Sequence, residues 1–316
     1  MRSADWPELS ICVVNWNTRE LLRACLESLL TDMRSDCWQI IVVDNNSADN
    51  SAAMVRERFP GVELIESERN LGFSGGNNLG LQQAQGRHSL LLNSDTRVPA
   101  GTLGQLVDFL DEQEGVGAAG PRLVNGDGEL VLSCGRRPGL FSEILHKLLL
   151  HKLFPFFKFG LWPHDRTRFV GWVTGACLMV RTDAVLQTGF LDDNMFMCFE
   201  DLDWCMRLQN DGWKIAYFPH CEVVHLEGRS ITQHFSEMLV VSQQSLYYLF
   251  QKHFSRFHLQ VLRGFTVMEM VLRGGLWSLL WLVPTHRGEA MLRLSAYRQI
   301  LFRTLLDRSY WAPRPR

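Results

Sequence analysis

Short apolar runs that end abruptly in polar residues are the feature that most constrains the fold of this chain. Three of them, with their polar ends, are Leu9–Val14 with Asn15, Gln39–Val43 with Asp44, and Ser89–Leu92 with Asn93-Ser94-Asp95. Helical segments separate the runs, and Thr18 is a candidate N-cap for the first. Continuous apolar strands alternating with helices predict an α/β fold with a parallel sheet covered on both faces. Ligands bind at the carboxyl ends of such strands, so the polar ends predict a binding site.

A stretch rich in glycine and asparagine, Asn70–Gly80, follows a strand predicted at Val62–Ile65 and leads into a predicted helix. Backbone N–H groups in such a stretch can bind phosphate oxygens. No lysine follows it, as a P-loop requires, and no G-x-G-x-x-G follows the first strand. The main support for a nicotinamide-dependent dehydrogenase is therefore missing.

Three acids lie together at the start of a predicted helix, in Phe199-Glu200-Asp201-Leu202-Asp203. Carboxylates at a helix N-terminus are stabilised by the helix dipole, so simple capping is one interpretation. The apolar Met195-Phe196-Met197 before them predicts burial, and buried acids require a partner or a function. A general base that deprotonates a sugar hydroxyl is the other interpretation.

Two further residues are candidate metal ligands. Asp95 follows a strand, where a carboxylate can hold a hard divalent cation, although Ser-Asp also opens many turns. His225 follows Val223-Val224; it is either a structural histidine or the nitrogen ligand of a Mn²⁺ or Mg²⁺ site. A site made of Cys198, Cys205 and His220 is a less favoured alternative, because the 8 cysteines contain no C-x-x-C pair and resemble core residues of a reducing compartment.

The C-terminal segment is basic, with 11 Lys+Arg against 3 Asp+Glu from residue 252 to 316, within a chain of net charge −2. Its apolar residues recur at helical intervals between arginines, and Glu269 and Arg273 interrupt its most apolar stretch. The pattern is typical of amphipathic helices that lie on an anionic membrane surface, and the alternative is packing on the catalytic domain or on a second subunit. Neither a signal peptide nor a membrane span is predicted, so we expect a cytoplasmic protein.

The order of these motifs resembles the family 2 glycosyltransferases, most closely their rhamnosyltransferase-like branch. The resemblance covers about residues 9–250. The motifs, in chain order, are Ser10–Asn17, Val42–Ser47, Asn70–Asn78, Leu92–Asp95, Gly175–Arg181, Phe199–Asp203 and His225.

This resemblance implies a GT-A fold with a Rossmann-like nucleotide-sugar-binding sheet. It divides the chain into a donor half at about 1–125, an acceptor half at about 126–231, and a helical segment at 232–316. The composition of residues 135–168, rich in Phe, Leu, His and Lys and interrupted by prolines, separately predicts an insertion or an acceptor-side flap. The implied activity is inverting and depends on a divalent cation, Mg²⁺ or Mn²⁺. It moves a sugar, with rhamnose from dTDP-rhamnose expected, onto a glycan or lipid-linked acceptor in bacterial cell-surface polysaccharide synthesis. No nucleic-acid partner is expected, and the oligomeric state stays open.

The resemblance also assigns roles to single residues. Asp201 would be the catalytic base, supported by Glu200 and Asp203, and Asp95 and His225 would hold the metal. Asn93 stands where the family's D-x-D motif has its first acid, which leaves one charge fewer on the metal. The residues implied in nucleotide-sugar binding are Asn15, Asp44, Asn70, Gly75, Asn77, Asn78, Asn93 and Asp95. A catalytically silent binding protein and a sugar-phosphate nucleotidyltransferase are the alternatives. The intact acids argue against the first, and the lack of a Gly-rich basic loop after the first strand argues against the second.

Overall fold

The computed structural model describes residues 7–32, 34–148, 162–226, 235–307 and 310. These residues form two compact units. The α/β unit comprises the described residues of Met1–Arg137, Trp162–Asp193 and Glu200–Glu227, and the helical unit those of Pro138–Leu161, Asn194–Phe199 and Gly228–Arg316. The predicted boundary at 231/232 lies outside the described residues. The helical unit also takes in part of the region predicted as an insertion or flap.

The α/β unit alternates strands and helices in its first half, as the apolar runs predict. Its strands are β1 (Leu9–Asn15), β2 (Trp38–Asp44), β3 (Glu63–Glu66), β4 (His88–Asn93), β5 (Thr96–Arg97), β6 (Val116–Val124), β7 (Leu130–Val131), β8 (Cys134–Gly135), β9 (Arg168–Val170), β10 (Trp172–Val173), β11 (Cys177–Arg181) and β12 (Lys214–His225). Its helices are α1 (Arg19–Leu30), α2 (Ser51–Arg58), α3 (Gly72–Gln83), α4 (Thr102–Glu112), α6 (Thr182–Thr188) and α7 (Glu200–Asn210). The helical unit contains α5 (Leu140–Lys147), α8 (Phe235–His253), α9 (Arg256–Leu280) and α10 (Arg287–Leu306).

The central sheet is mixed, and the parallel arrangement predicted from the first half of the chain holds for its first four strands. Its order is β3-β2-β1-β4-β11-β6-β12-β5. The first four strands are parallel, whereas β11 is antiparallel to both β4 and β6. The expectation came from the first half of the chain, where every connection is a helical crossover. β11 reaches the sheet from the opposite direction, and its sequence alone does not encode that direction.

Both faces of the sheet are buried, which explains the continuous apolar runs. Along β1, Ile11 and Val13 belong to one core cluster and Cys12 to the other. Successive side chains of a strand point to opposite faces, so a strand covered on both sides needs apolar residues throughout.

The glycine-rich stretch is not a loop before a helix, because most of it forms α3 itself. A Cβ on Gly76 would lie 2.8 Å from Val14 Cγ1, and one on Gly80 would lie 3.0 Å from Cys12 Sγ. These two glycines therefore allow α3 to approach β1 closely. Gly72 begins the helix at φ 74°, a conformation that glycine adopts without strain.

The helical unit has its own core, which includes Tyr247, Phe250, Leu262 and Tyr297. The predicted C-terminal helical pattern is divided between α9 and α10, which are joined by a short turn around Pro284. Among the described helices, none combines the length and the apolar composition needed to cross a bilayer.

Candidate active site

The carboxyl ends of β1 and β2 meet in a buried polar network. Asn15 Nδ2 donates to Asp44 Oδ1 at 3.1 Å, and both side chains are buried. The other carboxylate oxygen of Asp44 accepts from Ser47 N at 3.0 Å. Thr18 occupies the N-cap position of α1, as predicted, but its hydroxyl makes no capping hydrogen bond, because it donates to Asn15 Oδ1 at 2.6 Å and lies 2.9 Å from Ser94 Oγ. Thr18 thereby links the ends of β1 and β4, a role that the sequence did not indicate.

The amides around α3 are engaged mainly with protein atoms. Asn70 Oδ1 accepts from Gly72 N, and Asn77 Nδ2 donates to Phe73 O, each at 2.9 Å. Asn78 forms two hydrogen bonds with the backbone of Leu191. Asn77 Oδ1 is buried and has no hydrogen-bond partner among the described residues. The four residues implied here, including Gly75 inside the helix, thus shape α3, and their contact with a sugar diphosphate stays a prediction.

The ends of β4 and β12 bring the two predicted metal ligands together. His225 Nε2 lies 3.1 Å from Asp95 Oδ1 and 3.2 Å from Asn93 Nδ2. β12 extends to His225 and pairs with β5, where His225 is opposite Thr96. Residues 130 positions apart in sequence therefore share one site, because β12 returns beside the turn that follows β4.

The acid cluster of α7 is connected to the same strand end through residues 175 and 176. Asn93 N donates to Ala176 O at 3.0 Å, and Gly175 N donates to Asp201 Oδ2 at 2.8 Å. A Cβ on Gly175 would lie 2.9 Å from the Phe73 ring and 3.6 Å from Asp201 Cβ. Gly175 thus allows α3 and α7 to converge beside the catalytic candidate. The sequence motif contained this glycine but did not reveal its role.

The two first acids of α7 have different environments. Burial raises the pKa of Glu200 well above its ordinary value, and the neighbouring Asp201 and Asp203 raise it further. Burial also raises the pKa of Asp201, but hydrogen bonds from Gly175 N, Leu202 N and the Thr174 hydroxyl oppose that shift. Glu200 Oε2 has no hydrogen-bond partner among the described residues. Neighbouring acids in different environments can take separate roles, and the hydrogen bonds to Asp201 favour its charged form.

Asp203 is the structural member of the cluster. It is fully buried, and its Oδ2 lies 2.8 Å from Arg207 Nε one helical turn later. The same guanidinium donates to Thr188 O and Phe190 O. Asp203 therefore orients the arginine that holds α7 to the segment before it.

The donor set of Asp95 and His225 fits a divalent cation shared with a ligand. If the proton of His225 is on Nε2, this nitrogen donates to Asp95 Oδ1 at 3.1 Å; if the proton is on Nδ1, the Nε2 lone pair and that carboxylate oxygen can share one cation. Among the described residues no group of three or more His, Cys, Asp or Glu side chains could hold a metal, so Cys198, Cys205 and His220 form no such group. A cation held by these two side chains would need further oxygen ligands, which the phosphates of a bound nucleotide commonly supply to Mg²⁺.

Both the sequence and the fold of this chain are similar to those of known proteins. The sequence pattern described as "Glycosyl transferase family 2" matches residues 10–163, and that of "Glycosyl transferase family group 2" matches residues 89–305. The chain is 28% identical over 236 residues to N-acetylglucosaminyl-diphospho-decaprenol L-rhamnosyltransferase from Mycobacterium tuberculosis, a match that covers 68% of this chain and 75% of that protein. It is 23% identical over 208 residues to dTDP-rhamnosyl transferase RfbF from Shigella flexneri, covering 64% of each chain.

The fold resembles that of a solved mannosyltransferase, PcManGT from Pyrobaculum calidifontis, whose structure is a complex with GDP-Man and Mn²⁺. The TM-score is 0.57 at 16% sequence identity, and the match covers 96% of this chain and 89% of the other. The predicted GT-A architecture is confirmed by this likeness.

Proposed function

The chain belongs to the family 2 glycosyltransferases, and from that membership we propose that it is a metal-dependent, inverting transferase of a sugar from a nucleoside diphosphate. The observation that carries the proposal is the convergence of Asp201, Asp95 and His225 on the end of β4. Rhamnose from dTDP-rhamnose is the proposed donor, supported by the names of the two rhamnosyltransferase relatives. The acceptor is a glycan or lipid-linked sugar of a bacterial surface polysaccharide.

In the proposed reaction Asp201 acts as the general base. Its carboxylate accepts the proton of the acceptor hydroxyl, and the hydroxyl oxygen bonds to the anomeric carbon from the face opposite the diphosphate. The bond from that carbon to the diphosphate oxygen breaks, and its electron pair leaves with the diphosphate, which inverts the configuration. The N–H groups of Gly175 and Leu202 fix the carboxylate and favour its charged form.

The metal has a limited role in this proposal. Asp95 and His225 would hold a divalent cation, which would stabilise the charge of the departing diphosphate. Asn15 and Asp44 would bind the nucleoside, since their hydrogen-bonded pair ends β1 and β2 on the same edge of the sheet.

The experiment that tests the proposal is a panel of nucleotide sugars with Mg²⁺ or Mn²⁺, in which release of nucleoside diphosphate is measured with and without acceptor. We expect dTDP-rhamnose to be the best donor and EDTA to abolish release. Asp201→Asn keeps the shape and removes proton acceptance, so turnover should fall about 10²-fold or more with little change in donor binding. Asp127→Asn, in an exposed turn, is the matched control. Near-native turnover of the Asp201 variant, or full activity after exhaustive chelation, would contradict the assignment.

We further propose that the helical unit attaches to an anionic lipid surface at the cytoplasmic face. The support is an apolar patch of exposed residues that ends α9 and continues beyond it. These residues are Val271, Leu272, Leu276, Leu279, Trp281, Leu282 and Val283. Arg287 lies 5.6 Å from the Trp281 ring and Arg293 lies 4.6 Å from the Trp277 ring, so cations accompany the tryptophans. Tryptophan and arginine beside exposed aliphatic residues suit the membrane interface.

Part of the predicted amphipathic face is core instead. Leu262 is fully buried in the helical unit, so packing explains that position. Removal of α9 and α10 would expose this core, and point variants are the better test. We expect Leu276→Glu/Leu279→Glu to reduce co-sedimentation with anionic liposomes, and high salt to reduce it as well. Leu186→Glu, at an exposed leucine of the α/β unit, is the control. Equal binding of the double variant and the control protein would exclude the patch.

A further inference from the structure

The helical unit contains a cavity of about 280 Å³ that is distinct from the residues of the candidate active site. It is lined by residues of α5, α8, α9 and α10 together with Phe199. Its volume is near the lower end of the roughly 300–1,000 Å³ typical of small-ligand sites. Charged and polar side chains line one part of it, and Phe199, Leu246 and Met270 line another.

A buried ion network forms the polar part. Lys147 Nζ lies 3.0 Å from Glu269 Oε2 and donates to Gln243 Oε1 at 3.1 Å. Only 6% of the Lys147 side chain and 11% of that of Glu269 are exposed. Arg273 Nε lies 2.9 Å from the other oxygen of Glu269. One carboxylate thus serves two cations, and the ammonium retains a third N–H for another acceptor.

One buried donor in the same cavity lacks an acceptor, because Gln243 Nε2 has no hydrogen-bond partner among the described residues. Arg273 Nε is paired with Glu269 Oε1 at 2.9 Å, although the direction of its N–H does not meet the geometry of a hydrogen bond. Leaving a buried donor unpaired is unfavourable. Both groups are donors, so a ligand that suits the cavity must supply acceptors.

The charge of the cavity lining also favours a ligand that supplies acceptors. Arg293 lines the cavity and pairs with Glu289, which is not part of the lining. Besides Glu269, the acid in the cavity lining is Glu143. Burial raises the pKa of Glu143 to about 7, while Lys147 lowers this pKa and Glu269 raises it further. The lining therefore carries an excess of positive charge and of N–H donors.

We propose that this cavity binds a phosphate or diphosphate ester, with Lys147, Gln243 and Arg273 as its donors. These donors come from three different helices, so an anion whose oxygens point in several directions satisfies them better than a planar carboxylate. The apolar wall of Phe199, Leu246 and Met270 suits the group to which the phosphate is attached. The inference goes beyond the proposed transfer reaction and does not depend on it, since no residue of the donor site takes part.

The test is calorimetric titration of the full-length protein with inorganic pyrophosphate in EDTA, where metal-dependent binding is suppressed. Gln243→Glu is nearly isosteric and keeps the acceptor for Lys147, but it replaces the unpaired donor with a negatively charged oxygen. We expect this variant to weaken binding about tenfold or more, and Arg273→Gln to weaken it as well. Arg298→Gln removes the same charge from an exposed site on α10 and should leave the affinity within about twofold.

The source of the phosphate is distinguished by a second titrant, farnesyl diphosphate. Tighter binding than that of pyrophosphate identifies a lipid headgroup, and equal or weaker binding identifies a free phosphate compound. Circular dichroism and the melting temperature verify that each variant is folded, and Arg273→Gln keeps the test decisive if Gln243→Glu is not. Absence of pyrophosphate binding, or equal binding by Arg273→Gln and Arg298→Gln, would overturn the proposal. Neither result bears on transfer from nucleotide sugars, which the donor panel measures separately.

Discussion

Glu143→Gln should stabilise the protein at pH 8 and have little effect at pH 5. The pKa of this carboxyl is raised from 4.5 to about 7, first by burial and then by Glu269, while Lys147 opposes the shift. The unfolded chain ionises Glu143 near pH 4.5, whereas the folded chain resists ionisation until about pH 7. The stability associated with the neutral carboxyl is therefore complete below pH 4.5, declines as the pH rises, and is lost above pH 7.

The magnitude follows from the separation of the two pKa values. Each pH unit between them is worth about 1.4 kcal/mol, so the ionised carboxyl destabilises the fold by at most about 3 kcal/mol. Partial exposure of the side chain reduces that figure, and we expect a gain of about 1–3 kcal/mol for Glu143→Gln at pH 8. The glutamine cannot ionise, so its stability relative to the native protein should increase with pH.

The assay is urea denaturation followed by far-UV circular dichroism at pH 5 and pH 8. Glu57→Gln removes an exposed glutamate on α2 and is the control, with a small change that is the same at both pH values. Equal stabilisation by Glu143→Gln at pH 5 and pH 8, or a larger effect at pH 5, would refute the assignment of a raised pKa to this buried carboxyl.

Three further predictions concern the α/β unit. Because burial raises the pKa of Asp201, the acidic limb of the plot of kcat against pH should lie above pH 3.8, the ordinary pKa of aspartate, and activity should be lost as the pH falls through that limb. An acidic limb at or below pH 3.8 would contradict the raised pKa. Arg207→Leu removes the ion pair of the buried Asp203, so thermal denaturation should reveal a loss of about 3–5 kcal/mol, and an unchanged melting temperature would exclude this role. Gly76→Ala places a Cβ 2.8 Å from Val14, and the same measurement should give a loss of about 1–3 kcal/mol unless α3 can move away from β1.

Local sequence pattern predicted much of the first half of the fold. The apolar runs correspond to β1, β2 and β4, and their bounds agree with the predicted ones to within about one residue. The agreement is close because a strand buried on both faces needs uninterrupted apolar residues. The same local pattern placed Asn70–Gly80 before a helix, whereas most of the stretch lies within α3. The glycines are in α3 because β1 lies within van der Waals distance of that helix, and no local pattern encodes the distance to a neighbour.

The candidate site divides in the same way. The local sequence pattern predicts which side chains end the strands, and therefore that Asn15, Asp44 and Asp95 lie on one edge of the sheet, because parallel strands end on the same side. The 3.1 Å distance between His225 and Asp95 and the hydrogen bond from Gly175 to Asp201 could be found only in the three-dimensional arrangement of the chain. The same holds for the ion pair between Asp203 and Arg207. It also holds for the position of Lys147, Gln243 and Arg273 around one cavity. These contacts depend on strand order, strand direction and helix packing. All three arise from long-range burial of apolar surface, so no periodic sequence pattern near the residues involved encodes them.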